Sequence, residues 1–226
     1  MKKLAAYFSK GELALWGLSS ALILISFLIF DRVNTITLAA SLIGSTSLIL
    51  NAKGNPIGQA LMIDFSLLYG LISYRYSYYG EMITYLGMTA PMALFTLISW
   101  LRHPFKGNRA EVTVNRIKLT EIYGMLALTL LVTVGFYFVL DHFETANILP
   151  STLSVATSFI AVYLTFHRSP YFALAYAVND VVLIVLWTLA AVEDISYLSV
   201  IICFAMFLVN DLYGFVNWKR MEQRQQ

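Results

Sequence analysis

The chain has 226 residues, 59% of them hydrophobic and only 12% charged, and its mean hydropathy is +0.71. That balance lies outside the soluble range and marks an integral membrane protein. A net charge of +2 is no nucleic-acid footprint, and a single cysteine, Cys203, excludes an internal disulfide framework and a multi-cysteine metal site.

A hydrocarbon core about 30 Å thick takes roughly 20 helical residues. Eight stretches meet that length: 12–30, 34–52, 56–75, 81–101, 119–140, 149–167, 170–191 and 196–218. They are continuous runs without the alternation of a barrel, so the expected fold is an all-α polytopic membrane protein of eight transmembrane helices.

The first stretch follows "MKKLAAYFSKGE", but it is too long for a signal-peptide core and no small-x-small site follows, so it reads as a retained span. The second carries "SLIGS" (Ser41, Gly44, Ser45). The third opens on Pro56, holds Asp64, and runs into "SYRYSYYGE", whose Tyr74, Tyr76, Tyr78 and Tyr79 read as an outer interfacial belt. The fourth contains Pro91, which should kink it, and ends on Trp100 and Arg102. A basic loop leads to the fifth stretch, a connector. The sixth carries "SVATS" (Ser154, Thr157, Ser158), the seventh follows Pro170 and holds Asp180 and Trp187, and the eighth ends on Trp218 and Arg220. Trp100 and Trp218 each precede a basic residue, the usual place of a belt anchor; Trp187 fits an anchor and a ligand-stacking face equally well.

With the N-terminus in the cytoplasm, thirteen basic residues from Lys2 and Lys3 to Arg224 fall inside and only Arg32 and Arg75 outside. The positive-inside rule demands that bias, and it places both termini in the cytoplasm. The second to fourth stretches also resemble the sixth to eighth: a small polar face, a proline, an acid eight or ten residues later, and a closing Trp-x-Arg. This layout is a parallel 3+1+3 repeat behind one extra helix, with units at 1–33, 34–103, 104–148 and 149–226.

Three acids sit deep in apolar runs. Asp180 lies ten residues into its stretch, about 15 Å deep, Asp64 at a similar depth, and Asp211 near 10 Å from the basic end. A carboxylate there costs about 2.5–3.5 kcal/mol on insertion scales, and no intramembrane Lys or Arg is on hand. Each acid is therefore protonated, hydrogen-bonded, wet, or waiting for a cation. One reading has a protonated Asp locking the last two helices together through Asn179 and Asn210; the other is a wet substrate cavity.

Asp180 and Trp187 share a face with Tyr176, while Asn210, Tyr213 and Asn217 form one stripe beside another of Asp211, Gly214 and Trp218. Carboxylate, carboxamide, phenol and indole suit a flat, cationic, hydroxylated ligand. The expected substrate-binding set is Asp64, Tyr176, Asn179, Asp180, Trp187, Asn210, Asp211 and Tyr213, with Asp64 completing an acid ring. His103, His142 and His167 have no metal-ligand spacing, and no Ser-His-Asp order, phosphate loop or HExxH occurs, so neither an enzyme nor a cofactor is expected.

"FLVNDLYGFVNWKRME" resembles the end of the PnuC family of vitamin-precursor transporters, whose Tyr-Gly-x-x-x-Trp-x-Arg pattern falls here on Tyr213, Gly214, Trp218 and Arg220. "YAVNDVVLIVLWTLAAVEDISYLSVIICF" is similar to the family's penultimate helix and hairpin. The resemblance implies a seven-helix core related to the SWEET sugar carriers, with an optional extra helix in front. It implies facilitated diffusion of nicotinamide riboside across a bacterial inner membrane, with a cytoplasmic kinase trapping the product. In some members the first block ends in the same pattern; here "LFTLISWLR" keeps only Trp100 and Arg102. Sister branches carry thiamine or riboflavin. A proton-coupled carrier, a scaffold or sensor, and an intramembrane aspartyl enzyme, whose Gly-rich context is missing, are the rivals. A homo-oligomer is left open.

Overall fold

All eight expected spans form helices in the computed structural model, which describes residues 7–75, 79–145 and 147–226. They are α1 (Lys10–Phe30), α2 (Thr35–Ala52), α3 (Pro56–Arg75), α4 (Tyr79–Arg102), α5 (Leu119–His142), α6 (Ile148–Phe166), α7 (Phe172–Ala191) and α8 (Leu198–Arg224). Lys2, Lys3, Tyr76 and Tyr78 lie outside the described residues. The helices run up and down between a basic end, where α1 begins and α8 finishes, and an opposite end.

Local chemistry sets the boundaries. Ser9 caps α1 in a reciprocal box: its Oγ accepts from the Glu12 N–H at 3.2 Å and Glu12 Oε2 accepts from the Ser9 N–H at 2.6 Å. α2 and α6 end in the same turn. Gly54 and Arg168 adopt left-handed φ of 65° and 56° and donate to Asn51 O and Thr165 O at 2.9 and 3.0 Å. The next residues, Asn55 and Ser169, donate to Leu50 O and Leu164 O, both at 3.0 Å, and a proline follows each.

Pro91 acts differently from a simple kink. A π-helical turn spans Thr84–Thr89 just ahead of it, and the Ala90 N–H bonds Tyr85 O, five residues back. The widened turn absorbs the register error that a missing N–H imposes.

The basic loop after α4 holds an unexpected hairpin, β1 (Pro104–Phe105) against β2 (Asn108–Val112), antiparallel. Lys106 and Gly107 both have positive φ, which suits a tight hairpin turn. Val112, fully buried, donates to Gly54 O at 3.0 Å and ties the hairpin to the α2–α3 turn.

α8 packs against α7, α2 and α1; α6 packs against α7, α4 and α5; α5 is mostly exposed on the outside. Buried Ser and Thr such as Ser45, Ser47, Ser66 and Thr165 let helices approach closely. Two apolar cores result. One contains Phe65, Tyr69, Tyr85, Phe204 and Phe207; the other, at the basic end, contains Trp100, Trp218, Phe172 and Val112.

Both Trp100 and Trp218 are 0% exposed, which corrects the expected belt anchors. Their rings lie 5.4 Å apart. Trp100 Nε1 donates to Thr165 O at 3.0 Å, and Trp218 Nε1 donates to Asn51 O at 2.8 Å. Each indole thus caps the terminal turn of a distant helix.

Candidate functional site

A cavity of about 40 Å³ lies where the two cores meet, lined by α2, α3, α4, α6, α7 and α8. Of the expected residues it gathers Tyr176, Asn179, Asp180 and Asp211, all buried or half-buried. The two carboxyl groups, on adjacent helices, line the same cavity. Asp180 Oδ2 is fully buried and receives no hydrogen bond from any described donor. Among the described residues no Lys or Arg lines the cavity. Two carboxyl groups in one cavity, in so apolar a setting, are complete only when a proton or a positively charged group joins them.

The asparagines do not bridge the aspartates, so the locking arrangement of the last two helices is not what is seen. Asn179 Oδ1 accepts from Thr157 Oγ1 at 2.8 Å and Ser158 Oγ at 3.0 Å, fastening α7 to α6. Asn210 Nδ2 donates to Ser19 Oγ at 2.9 Å and to Met206 O at 2.7 Å, fastening α8 to α1.

Four expected residues, Asn210, Tyr213, Asp64 and Trp187, stand elsewhere. Asn210, as described, faces α1. Tyr213 joins it there, its hydroxyl donating to Glu12 Oε1 at 2.9 Å, and Lys53 Nζ bonds the same carboxylate at 3.0 Å. The amide stripe of α8 is therefore its docking face for α1 and α2, with Asn217 Nδ2 donating to Ala52 O at 2.7 Å. Asp211, Gly214 and Trp218, on the adjoining stripe, are all buried, and Asp211 lines the cavity.

Asp64 is exposed on the outer face of α3 and does not reach the cavity, which corrects the three-acid ring. The reason is helical phase. Asp64 follows Pro56 by eight residues and Asp180 follows Pro170 by ten; two residues turn a helix by about 200°. Ser66, ten residues after Pro56, holds the inward position and is fully buried.

Above the carboxyl pair, toward the opposite end, sits an aromatic roof. The Tyr69 ring lies 4.5 Å from Tyr85, 5.5 Å from Phe65, 6.3 Å from Trp187 and 6.3 Å from Phe204. Trp187 is buried within this cluster, neither at a membrane belt nor in the cavity wall itself. Sequence reasoning overlooked Phe65, Tyr85, Thr89 and Phe207, which line the cavity. Phe65 and Tyr69 at i, i+4 carried a signal, but an aromatic pair inside an apolar run looks like any core contact.

A larger groove of about 580 Å³ lies on the outside between α1 and α2, lined by Tyr7, Leu13, Trp16, Ile49 and Leu50 among others. Glu12, Thr46 and Asn55 also line it, but the wall surface of the described residues is almost wholly apolar, which suits lipid contact.

Comparison with known proteins agrees with this architecture. A family profile described as nicotinamide mononucleotide transporter matches residues 34–220. The nicotinamide riboside transporter PnuC of Neisseria mucosa is 23% identical over 200 residues, covering 87% of this chain and 76% of that protein. The crystal structure of the vitamin B3 transporter PnuC superimposes with a TM-score of 0.83 at 21% identity, covering 97% of this chain and 94% of that one. The expected fold, all-α with eight spans, is thus the observed one, and the matched proteins are transporters, not enzymes.

Proposed function

The chain belongs to the nicotinamide mononucleotide transporter family, and we propose that it takes up nicotinamide riboside by facilitated diffusion across a bacterial inner membrane. The observation that carries this reading is the buried Asp180–Asp211 pair without a cationic partner. Nicotinamide riboside brings a permanent pyridinium charge to satisfy the pair, ribose hydroxyls for Asn179, and a flat ring for Tyr176 and the aromatic roof. The named activity of the Neisseria relative supports the same ligand.

Alternating access follows from the two blocks. The matching turns after α2 and α6, and the exchange of indole bonds between α4 and α6 and between α8 and α2, support a parallel 3+1+3 repeat whose blocks rock about the cavity. At about 40 Å³ the cavity has room for a few waters, so a nucleoside enters by displacing the roof. The basic end is then cytoplasmic, with both termini there, and a cytoplasmic kinase that phosphorylates the riboside would keep it inside.

The test is uptake of labelled nicotinamide riboside into proteoliposomes. Asp180→Asn and Asp211→Asn should each lower the rate at least about tenfold, since each removes a charge contact of 1.5–3 kcal/mol order; wild-type rates in both would end the charge-balance argument. Excess thiamine and riboflavin test the substrate. One observation favours a second reading, proton symport: the same carboxyl pair can hold a proton in place of the ligand. Uptake that stops when the proton gradient is collapsed would select it.

A further inference from the structure

A second polar cleft, of about 80 Å³, opens at the opposite end between the start of α4, the start of α6 and the end of α7. It is lined by Glu81, Thr145, Asn147, Ser151, Trp187 and Glu193, with Leu186, Leu189 and Ala190 as apolar wall. Glu81 is only 7% exposed and has no hydrogen bond or ion pair to any described residue. Its place in the first turn of α4 suggests a capping role, yet its carboxylate caps nothing and faces the cleft. Gly80 makes that placement possible: a Cβ there would collide with Leu140 and Thr145, so α4 starts in close contact with the end of α5. Glu193 stands exposed at the mouth. Among the described residues no Lys or Arg lines the cleft.

A buried carboxylate without a partner is costly, and Glu81, with the exposed Glu193 at the mouth and an indole, an amide and two hydroxyls beside it, forms a site suited to a ring-bearing organic cation. The volume fits a single six-membered ring. Trp187 forms the floor and also belongs to the aromatic roof over the inner cavity, seven residues and about 10 Å of helix beyond Asp180. We propose that this cleft is a second, outer binding site, in which Glu81, Glu193 and Trp187 hold a flat aromatic monocation before it passes the roof. Its role as an entry station rests on the transport reading; its binding chemistry does not.

Two measurements on the purified full-length protein separate these. The first is quenching of tryptophan fluorescence by N1-methylnicotinamide, a small pyridinium cation, with Trp187→Phe identifying the component that belongs to the cleft. Glu81→Gln should weaken the quenching constant about fivefold, the size of one partly solvated charge contact, and added salt should weaken it further. Asp180→Asn should leave it within twofold. Quenching unchanged in both Glu81→Gln and Glu193→Gln, or lost instead in Asp180→Asn, overturns the outer site. The second measurement is nicotinamide riboside uptake, where Glu81→Gln should raise KM about fivefold at constant kcat. A wild-type protein that fails to transport the riboside counts against the transport reading alone, because the quenching arm still decides the cleft. A melting temperature for Glu81→Gln equal to wild type keeps either result from being a folding artefact.

Discussion

The two buried indoles offer a quantitative check on the equivalence of the two halves. Asn51 O accepts from Trp218 Nε1 at 2.8 Å and from the Gly54 N–H at 2.9 Å; Thr165 O accepts from Trp100 Nε1 and from the Arg168 N–H, each at 3.0 Å. Replacing either Trp with Phe removes one donor but leaves the carbonyl its backbone partner, so the hydrogen-bond loss is about 1 kcal/mol. Both rings are fully buried, and the roughly 40 Å³ removed with each costs about 1 kcal/mol more at about 24 cal/mol per Å³. Each single variant should therefore lose about 2 kcal/mol, and the two losses should match within about 0.5 kcal/mol. Because the rings touch, at 5.4 Å and 45°, the double variant should lose about 0.5–1.5 kcal/mol less than the sum. Unfolding by SDS titration in mixed micelles measures all three, with the half-exposed Trp16→Phe as control. Strict additivity, or one indole costing no more than the control, would refute the reciprocal arrangement.

Two other substitutions separate positions that the sequence groups together. Asp64→Asn should leave riboside uptake within twofold of wild type, since the side chain faces away from the cavity; a loss as large as that of Asp180→Asn would return Asp64 to the site. Tyr213→Phe removes the hydroxyl that donates to Glu12 and should loosen α1, lowering stability by about 1–2 kcal/mol with uptake KM unchanged; a raised KM with unchanged stability would make Tyr213 a ligand contact.

Helix existence, number and order were legible because hydrophobic run length against bilayer thickness is a nearly one-dimensional problem. Rotation of each helix about its axis was not. Asp64 and Asp180 share a depth but differ in phase, and only the Pro-to-acid spacing, eight against ten, held the clue. Trp100 and Trp218 look like interfacial anchors because a Trp before a basic residue is what both an anchor and a capped helix end produce; the carbonyls that claim them are 65 and 167 residues away. The hairpin at Pro104–Val112 had its Lys-Gly turn in plain view, but strands of 2 and 5 residues are too short to stand out in a basic loop. Glu12 and Glu81 carry no sequence sign of burial, which depends on neighbours brought by other helices, Lys53 and Tyr213 for the first and the α5–α6 turn for the second.

The Asn-Asp pair repeated on α7 and α8 now has a geometric meaning. Adjacent helical residues point about 100° apart, so one can hold a neighbouring helix while the next faces inward. Asn179 grips α6 through Thr157 and Ser158 as Asp180 enters the cavity, and Asn210 grips α1 through Ser19 as Asp211 enters beside it. The order of the two residues matters for that division of labour, and composition does not. In the exchanged variant, Asn179→Asp with Asp180→Asn, the displaced carboxylate would still receive hydrogen bonds from both hydroxyls of α6, so the fold should survive with a loss of about 1 kcal/mol or less. Transport should nevertheless fall at least about tenfold, because the charge now points at α6 instead of at Asp211. If the exchanged protein carried nicotinamide riboside at the wild-type rate, the direction of the carboxyl group would be irrelevant and the paired cavity would not be where the cation is bound.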